Sequence, residues 1–162
     1  LDRLLVVLDR IPTKKPIFLK ISVDLPTQEL DALIAVCDRH RVHGFIVSNL
    51  TKHYDCAAID ADERRGITNG GVSGRPVFDP SNVLISHLYK SAGSRYVIVG
   101  SGGIFSAEDA YEKICRGASL VQLATGMIFE GPRLIGEINR GLVSLLQRDG
   151  FSNIREAVGS IH

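Results

Sequence analysis

Four short apolar runs, separated by helical patterns, constrain this chain more than any other feature. They cover Ile17 to Val23, Gly44 to Asn49, Arg95 to Gly100 and Leu120 to Thr125. Each is rich in Val, Ile and Leu with little of the alternation of a one-sided antiparallel sheet, so each reads as a buried parallel strand. Between the first two, Gln28 to Arg41 carries Leu30, Leu33, Ile34 and Cys37 at helical spacing. Pro80 to Gly93 follows Asp79, a good N-cap, with Pro80 at the first helical position. Ser106 to Arg116 opens with Ser106 and Asp109 at capping-box spacing, and Gly117 stands where a C-cap glycine belongs. A last long helix runs from Pro132 to Arg148, and a short one follows Ser152. Leu1 to Arg10 reads as the remainder of a preceding helix.

One helix followed by four βα units implies a parallel sheet with right-handed crossovers. Two α/β architectures satisfy that order, an open doubly wound sheet and a piece of a (β/α)8 TIM barrel. A complete barrel takes about 250 residues. With 162 residues, this chain has room for half of one.

Composition narrows the function classes. Basic and acidic residues number 19 and 18, for a net charge of +1, and no basic stripe emerges, so nucleic acid is not an expected partner. Apolar residues at 44% exclude disorder and suffice for a sizeable core. No apolar run among residues 1–162 approaches the roughly 20 residues of a bilayer span, and no secretory signal is expected. Cys37, Cys56 and Cys115 sit far apart without CxxC spacing, which fits a reducing, cytoplasm-facing compartment. The chain begins at Leu1, and an upstream piece is expected.

In α/β proteins chemistry gathers where strands end. Strand periodicity puts Phe18, Lys20 and Ser22 on one face and Leu19 and Ile21 on the other. Lys20 then points into the barrel interior, where a buried ammonium needs an anion or an electron-rich ligand. An internal salt bridge and a ligand contact both meet that need. The second strand ends in Val47-Ser48-Asn49-Leu50-Thr51. These polar side chains either cap the loop or serve a planar ligand, and Asn49, which can donate and accept, is the best single candidate. Asn69-Gly70-Gly71-Val72-Ser73-Gly74-Arg75-Pro76 follows, a flexible loop in an excursion longer than usual βα connections. The third strand leads into Gly100-Ser101-Gly102-Gly103, and the fourth ends in Ala124-Thr125-Gly126, with Gly131-Pro132 opening the next helix. Glycines at two successive strand exits let backbone N–H groups approach an anion. As seventh and eighth strands of a barrel, they would stand where such barrels frequently hold phosphate.

Other residues suggest less. Cys37 and Cys115 fall on apolar helix positions, and Cys56 has no evident activating base. The five histidines lack metal-ligand spacing and read mostly as solvated residues, and no metal is expected. Gln122 reads as an inward-facing core amide with a hydrogen-bond partner.

Placed together, FLKIS, GFIVSN, NGGVSGRPVFDPS, VIVGSGGIFSAEDAYEKICRGASLVQLATGMIFEGP and LLQRDGFSNIREAVG resemble the C-terminal half of dihydroorotate dehydrogenase, over nearly the whole chain. The GGVSGRP loop and the GF-containing C-terminal helix are more similar to the membrane-associated, quinone-reducing class than to the soluble one. The resemblance implies a (β/α)8 barrel holding FMN, which takes a hydride from dihydroorotate to give orotate in pyrimidine synthesis. It implies that Lys20 sits beside the flavin and stabilises negative charge on the reduced ring, that Ser48 contacts the flavin, and that Asn49 binds the substrate's pyrimidine ring. Ser73 and Gly74 would line the cofactor. Gly102, Gly103, Ala124 and Thr125 would cradle its phosphate, largely through backbone N–H groups.

Two departures stand out. Leu50 replaces a threonine found in many relatives, which puts one substrate hydrogen bond in doubt, and Ala124 replaces a frequent tyrosine. The family's serine base, further substrate asparagines, part of the flavin site and the membrane-facing helices belong to an N-terminal half without a counterpart here. Residues 1–162 are therefore expected to be a C-terminal half-barrel, inactive alone and a weak FMN binder. Its open inner face and edges are expected to drive self-association. The full-length enzyme would be cytoplasmic and peripheral on the inner membrane. Another FMN- or phosphate-binding barrel enzyme and a non-catalytic self-associating module are the alternatives.

Overall fold

A computed structural model describes residues 1–55, 58–67 and 69–162. Four parallel strands form one sheet in the order β1-β2-β3-β4: β1 (Phe18–Ile21), β2 (Gly44–Val47), β3 (Val97–Ser101) and β4 (Leu120–Gln122). The register is continuous, Phe18 opposite Gly44, Gly44 opposite Val97, and Val99 opposite Leu120. A doubly wound sheet reverses its strand order at a switch point. This one never does, and sequential order is what an arc of a barrel produces.

The helices in chain order are α1 (Asp2–Asp9), α2 (Thr27–Cys37), α3 (Ala61–Gly66), α4 (Phe78–Ala92), α5 (Ala107–Cys115), α6 (Thr125–Glu130), α7 (Arg133–Arg148) and α8 (Ile154–Ala157). Their apolar stripes cover the outer face of the sheet. Ile21, Phe45, Val47 and Ile98 pack with Leu5, Leu30, Ile34, Leu84, Ile85 and Leu88 from α1, α2 and α4. Phe45 is fully buried, with the Tyr96 ring edge-on at 5.0 Å. Val121 instead joins two smaller clusters built from α5, α7 and α8. Among the described residues no helix is long and apolar enough to cross a membrane.

The inner face is uncovered. Phe18, Ile46, Val99, Leu120 and Gln122 line an open concavity of about 400 Å³. Burial therefore alternates along the strands, with Val97 and Leu120 exposed and Ile98 buried. One sequence expectation, that for Gln122, is corrected. The strand runs that read as buried are buried on their outer face, the inner one being open as a half-barrel leaves it, and Gln122 is an exposed inward residue instead of a core amide.

Boundaries differ at informative points. The fourth strand stops at Gln122, because Ala124 adopts φ −133° and ψ −63° as the N-cap of α6. Asp79 is not an N-cap. A 3-10 turn over Arg75–Val77 runs straight into α4, leaving Asp79 in its first turn. Ser106 does cap α5, accepting from the Asp109 N–H at 3.2 Å. Gly117, at φ +118°, ends it with its N–H on the Ile114 carbonyl and the Ala118 N–H on the Lys113 carbonyl, a Schellman pattern. Cys37 and Cys115 are buried as expected, and Cys56 lies outside the described residues.

One histidine departs from the solvated reading. His40 is held between Asp9 at 2.7 Å and Asp2 at 3.1 Å, its side chain only 7% exposed, and so ties α1 to the end of α2. Hydrogen bonds that its ring donates to the Asp2 and Asp9 carboxylates raise its pKa above the ordinary 6.5, while the same bonds lower both carboxyls. A raised folded-state pKa stabilises fully below the ordinary value and is lost as pH rises through the folded one. Docking of α1 should therefore weaken from pH 6 towards pH 9. Amide exchange in α1 should accelerate over that range in the wild type and show no such dependence in His40→Ala.

Candidate phosphate-binding site at the strand exits

All nine residues singled out from the sequence line one cavity of about 150 Å³: Lys20, Ser48, Asn49, Ser73, Gly74, Gly102, Gly103, Ala124 and Thr125. The cavity sits where the strands leave the sheet, so its walls follow from the register. Asn49 donates its N–H to the Ile21 carbonyl at 2.8 Å, and Ser48 donates its own to the Ser101 carbonyl at 3.1 Å. The exit of β2 is thereby tied to both neighbouring strands. Ser48 is buried and donates its Oγ hydrogen to the Asn49 carbonyl at 3.0 Å. The peptide joining Val47 to Ser48 is cis. Lys20 reaches the cavity from β1, on the inward face that strand periodicity assigns it. It is exposed there, which corrects the expectation of a buried ammonium.

The long excursion after β2 is anchored at both ends. Asp24 accepts from the Thr51 hydroxyl at 2.6 Å and from the Lys52 N–H at 2.8 Å, and Thr51 bridges antiparallel to Val72. Beyond that bridge, Ser73 shares a hydrogen bond with Thr125 through their hydroxyls at 2.9 Å, which closes one wall. Gly74, at φ +85°, packs beside the same threonine.

The opposing wall is the turn after β3. Gly102 and Gly103 take φ +109° and +72°, a region that favours glycine. A Cβ at Gly102 would lie 2.8 Å from Val77 Cγ2, and one at Gly103 would lie 2.5 Å from Phe78 Cβ. The turn is pressed against the start of α4, with no room for side chains. Ala124, Thr125 and Gly126 open α6, where the first N–H groups have no partner within the helix. Lys20 is the one charged side chain among the residues lining the cavity. Hydroxyls, an amide, glycine backbone and one ammonium, with no carboxylate, make a donor set for an oxyanion.

Two features escaped the sequence reading. The first is a clamp on the glycine-rich loop. Arg75 donates to both carboxylate oxygens of Asp109, at 2.7 and 2.8 Å, beneath the Phe78 and Phe105 rings. Asp109 also accepts from the Phe105 N–H at 2.8 Å, so it joins the loop, the turn after β3 and α5. Such bonds to charged groups contribute about 1.5–3 kcal/mol, reduced here because Arg75 is half exposed. Asp109→Ala should cost roughly 1–2 kcal/mol in urea unfolding and make residues 69–74 more sensitive to proteolysis. Arg75→Lys, which keeps the charge and loses one of the two parallel bonds, should cost less than Asp109→Ala.

The second is Lys113, fully buried on α5 behind the Gly102–Gly103 turn. Burial pushes its pKa down to about 7. Ala110, Lys113, Ile114 and Gly117 share one helix face, and a lysine within that apolar series was the available signal.

Comparison with known proteins gives a consistent picture. The family described as "Dihydroorotate dehydrogenase" matches residues 2–146. The chain is 38% identical over 148 residues to the dihydroorotate dehydrogenase (quinone) of Myxococcus xanthus, covering 91% of this chain and 39% of that protein. It is 43% identical over 141 residues to the Brucella anthropi protein of the same name, covering 87% and 38%. The crystal structure of DHODH from Eimeria tenella in complex with ferulenol superposes with a TM-score of 0.85 at 31% identity, over 94% of this chain and 40% of that one. A ligand-free structure from the same organism gives 0.83 at 32% identity. The chain thus spans about two fifths of the length of the relatives it matches.

Proposed function

The chain belongs to the dihydroorotate dehydrogenase family, and on that premise we propose that it is the C-terminal half of an FMN-dependent barrel that oxidises dihydroorotate to orotate in pyrimidine biosynthesis. The reading extends to residues 1–162 as a half-barrel completed by an N-terminal half, and to quinone as electron acceptor. It also extends to a cytoplasmic enzyme peripheral on the inner membrane.

One observation carries the proposal. Nine residues from β1 and from the segments after β2, β3 and β4 converge on one cavity with a single ammonium and no carboxylate. The glycine backbone and hydroxyls of that set fit the phosphate end of FMN, and Lys20 and Asn49 fit its ring end and the substrate; a Cβ on either turn glycine would collide with Val77 or Phe78. When bound, the flavin supplies the hydride acceptor. Gly102, Gly103, Ala124 and Thr125 hold the phosphate, chiefly by backbone N–H groups. Ser73, Gly74 and Ser48 line the cofactor, and Asn49 binds and orients the pyrimidine ring. Lys20 places its positive charge where negative charge develops on the reduced ring. The proton-abstracting serine belongs to the other half, so the chain alone turns over nothing.

The test is a hybrid in which residues 1–162 replace the matching segment of the Myxococcus xanthus relative. It should form orotate, and Lys20→Ala and Asn49→Ala should each lower kcat roughly hundredfold, with no orotate from the chain alone. A flavin-loaded hybrid without activity would contradict the proposal.

A further inference from the structure

We infer that Lys113 is the buried counter-charge of the anion held by the Gly102–Gly103 turn, a positioning residue that acts through the turn rather than by contact. This deepens the phosphate-site reading and rests on it. Lys113 donates from Nζ to Ser81 Oγ at 2.6 Å and to Asn82 Oδ1 at 2.9 Å, with the Phe78 ring centroid 4.8 Å away. Two neutral acceptors and a ring face satisfy its protons but leave its charge unpaired. Among the described residues no carboxylate forms an ion pair with it. Asp109 is committed to Arg75 and Glu112 to Arg116. Glu112, Asp109 and Asp79 favour its charged form from beyond ion-pair distance without offsetting its burial, and a bound anion would supply the remaining balance.

The groups that hold Lys113 also press on the cavity wall. Ser81 Oγ lies 3.6 Å from where a Gly102 Cβ would stand, Phe78 Cβ lies 2.5 Å from that of Gly103, and Lys113 Cδ lies 3.2 Å from that of Gly100. The ammonium is therefore one layer behind the glycines that line the cavity. In so buried a place its field is weakly screened. Burial leaves Lys113 with a pKa of about 7, so a bound anion draws a proton onto it, and anion affinity falls as pH rises. The other charged groups facing it are Asp109, Glu112 and Arg116 on α5 and Asp79 on α4, with Arg75 joined through Asp109.

Sulfate, a dianion throughout the range, is the probe. It is titrated into the full chain at pH 6 and pH 9 while the amide resonances of Gly102, Gly103 and Thr125 are followed. The wild type should bind roughly tenfold more weakly at pH 9. Lys113→Met should bind equally at both, about as weakly as the wild type at pH 9. Equal wild-type affinity at the two pH values, or a fall that persists in Lys113→Met, overturns the inference while leaving the site reading intact. An absence of shifts at those amides at any pH overturns the site reading and the inference with it. Should Lys113→Met not fold, calorimetry of sulfate binding to the wild type at pH 7.5, in two buffers of different ionisation enthalpy, decides the matter. Proton uptake is expected, and none would overturn the inference.

Discussion

Gly103→Val should destabilise the fold by roughly 2–5 kcal/mol and remove anion binding from the cavity. Two costs combine. Position 103 has φ +72°, where an L-residue is unfavourable by about 1–2 kcal/mol and a β-branched one by more. The new Cβ would also fall 2.5 Å from Phe78 Cβ and 2.9 Å from its Cα, contacts that only a shift of α4 relieves. That shift moves the turn away from Thr125 and displaces the N–H groups assigned to the oxyanion. Gly150→Ala is the control, because φ is +78° there and a Cβ meets open space. It should cost only the conformational term, about 1–2 kcal/mol, and leave anion binding unchanged. Urea midpoints and sulfate titrations separate the two effects. Equal costs for the two variants would show that close packing against Phe78 contributes nothing.

The second large effect concerns the bare face of the sheet. Phe18, Ile46, Val99 and Leu120 line an open concavity, and among the described residues β1 and β4 end the sheet without neighbouring strands. Apolar surface of this kind and unpaired strand edges both favour association. The isolated chain should self-associate at micromolar concentration and brighten a hydrophobic dye. The double variant Val99→Glu with Leu120→Glu should shift it to monomer in sedimentation velocity and abolish most of the dye signal, because both side chains face the concavity. Neither side chain belongs to the large helix-packed core, so the helical content should survive. A monomeric, dye-silent wild type would contradict this reading.

Much of the site was readable in the sequence because its parts stand where strands end. Lys20 follows from period-2 geometry in Phe18 to Ser22, and the glycine-rich exits at Gly102–Gly103 and Thr125–Gly126 announce close backbone approach. What escaped were interactions between residues far apart in the chain. Nothing local marks Arg75 as the partner of Asp109, and the capping-box spacing drew Asp109 towards Ser106. In the fold Ser106 does accept from the Asp109 N–H, but the Asp109 carboxylate turns to Phe105 and Arg75. Lys113 escaped because its partners, Ser81 and Asn82, lie on another helix. The apolar run at Leu120 to Thr125 overstated β4 because local propensity cannot register that Ala124 caps a new helix. The continuous apolar runs read as buried strands, and the half-barrel reading already left the face that carries Ile46 and Val99 open, as it is in the fold.

If these strand exits hold the phosphate of a flavin mononucleotide, FMN and riboflavin must bind differently. The two ligands share the ring and differ in the phosphate. Titrated into the chain and followed by flavin fluorescence, FMN should bind, weakly, and inorganic phosphate should compete with it. Riboflavin should bind at least roughly tenfold more weakly. Equal binding of both flavins, or FMN binding that phosphate leaves untouched, would contradict the account.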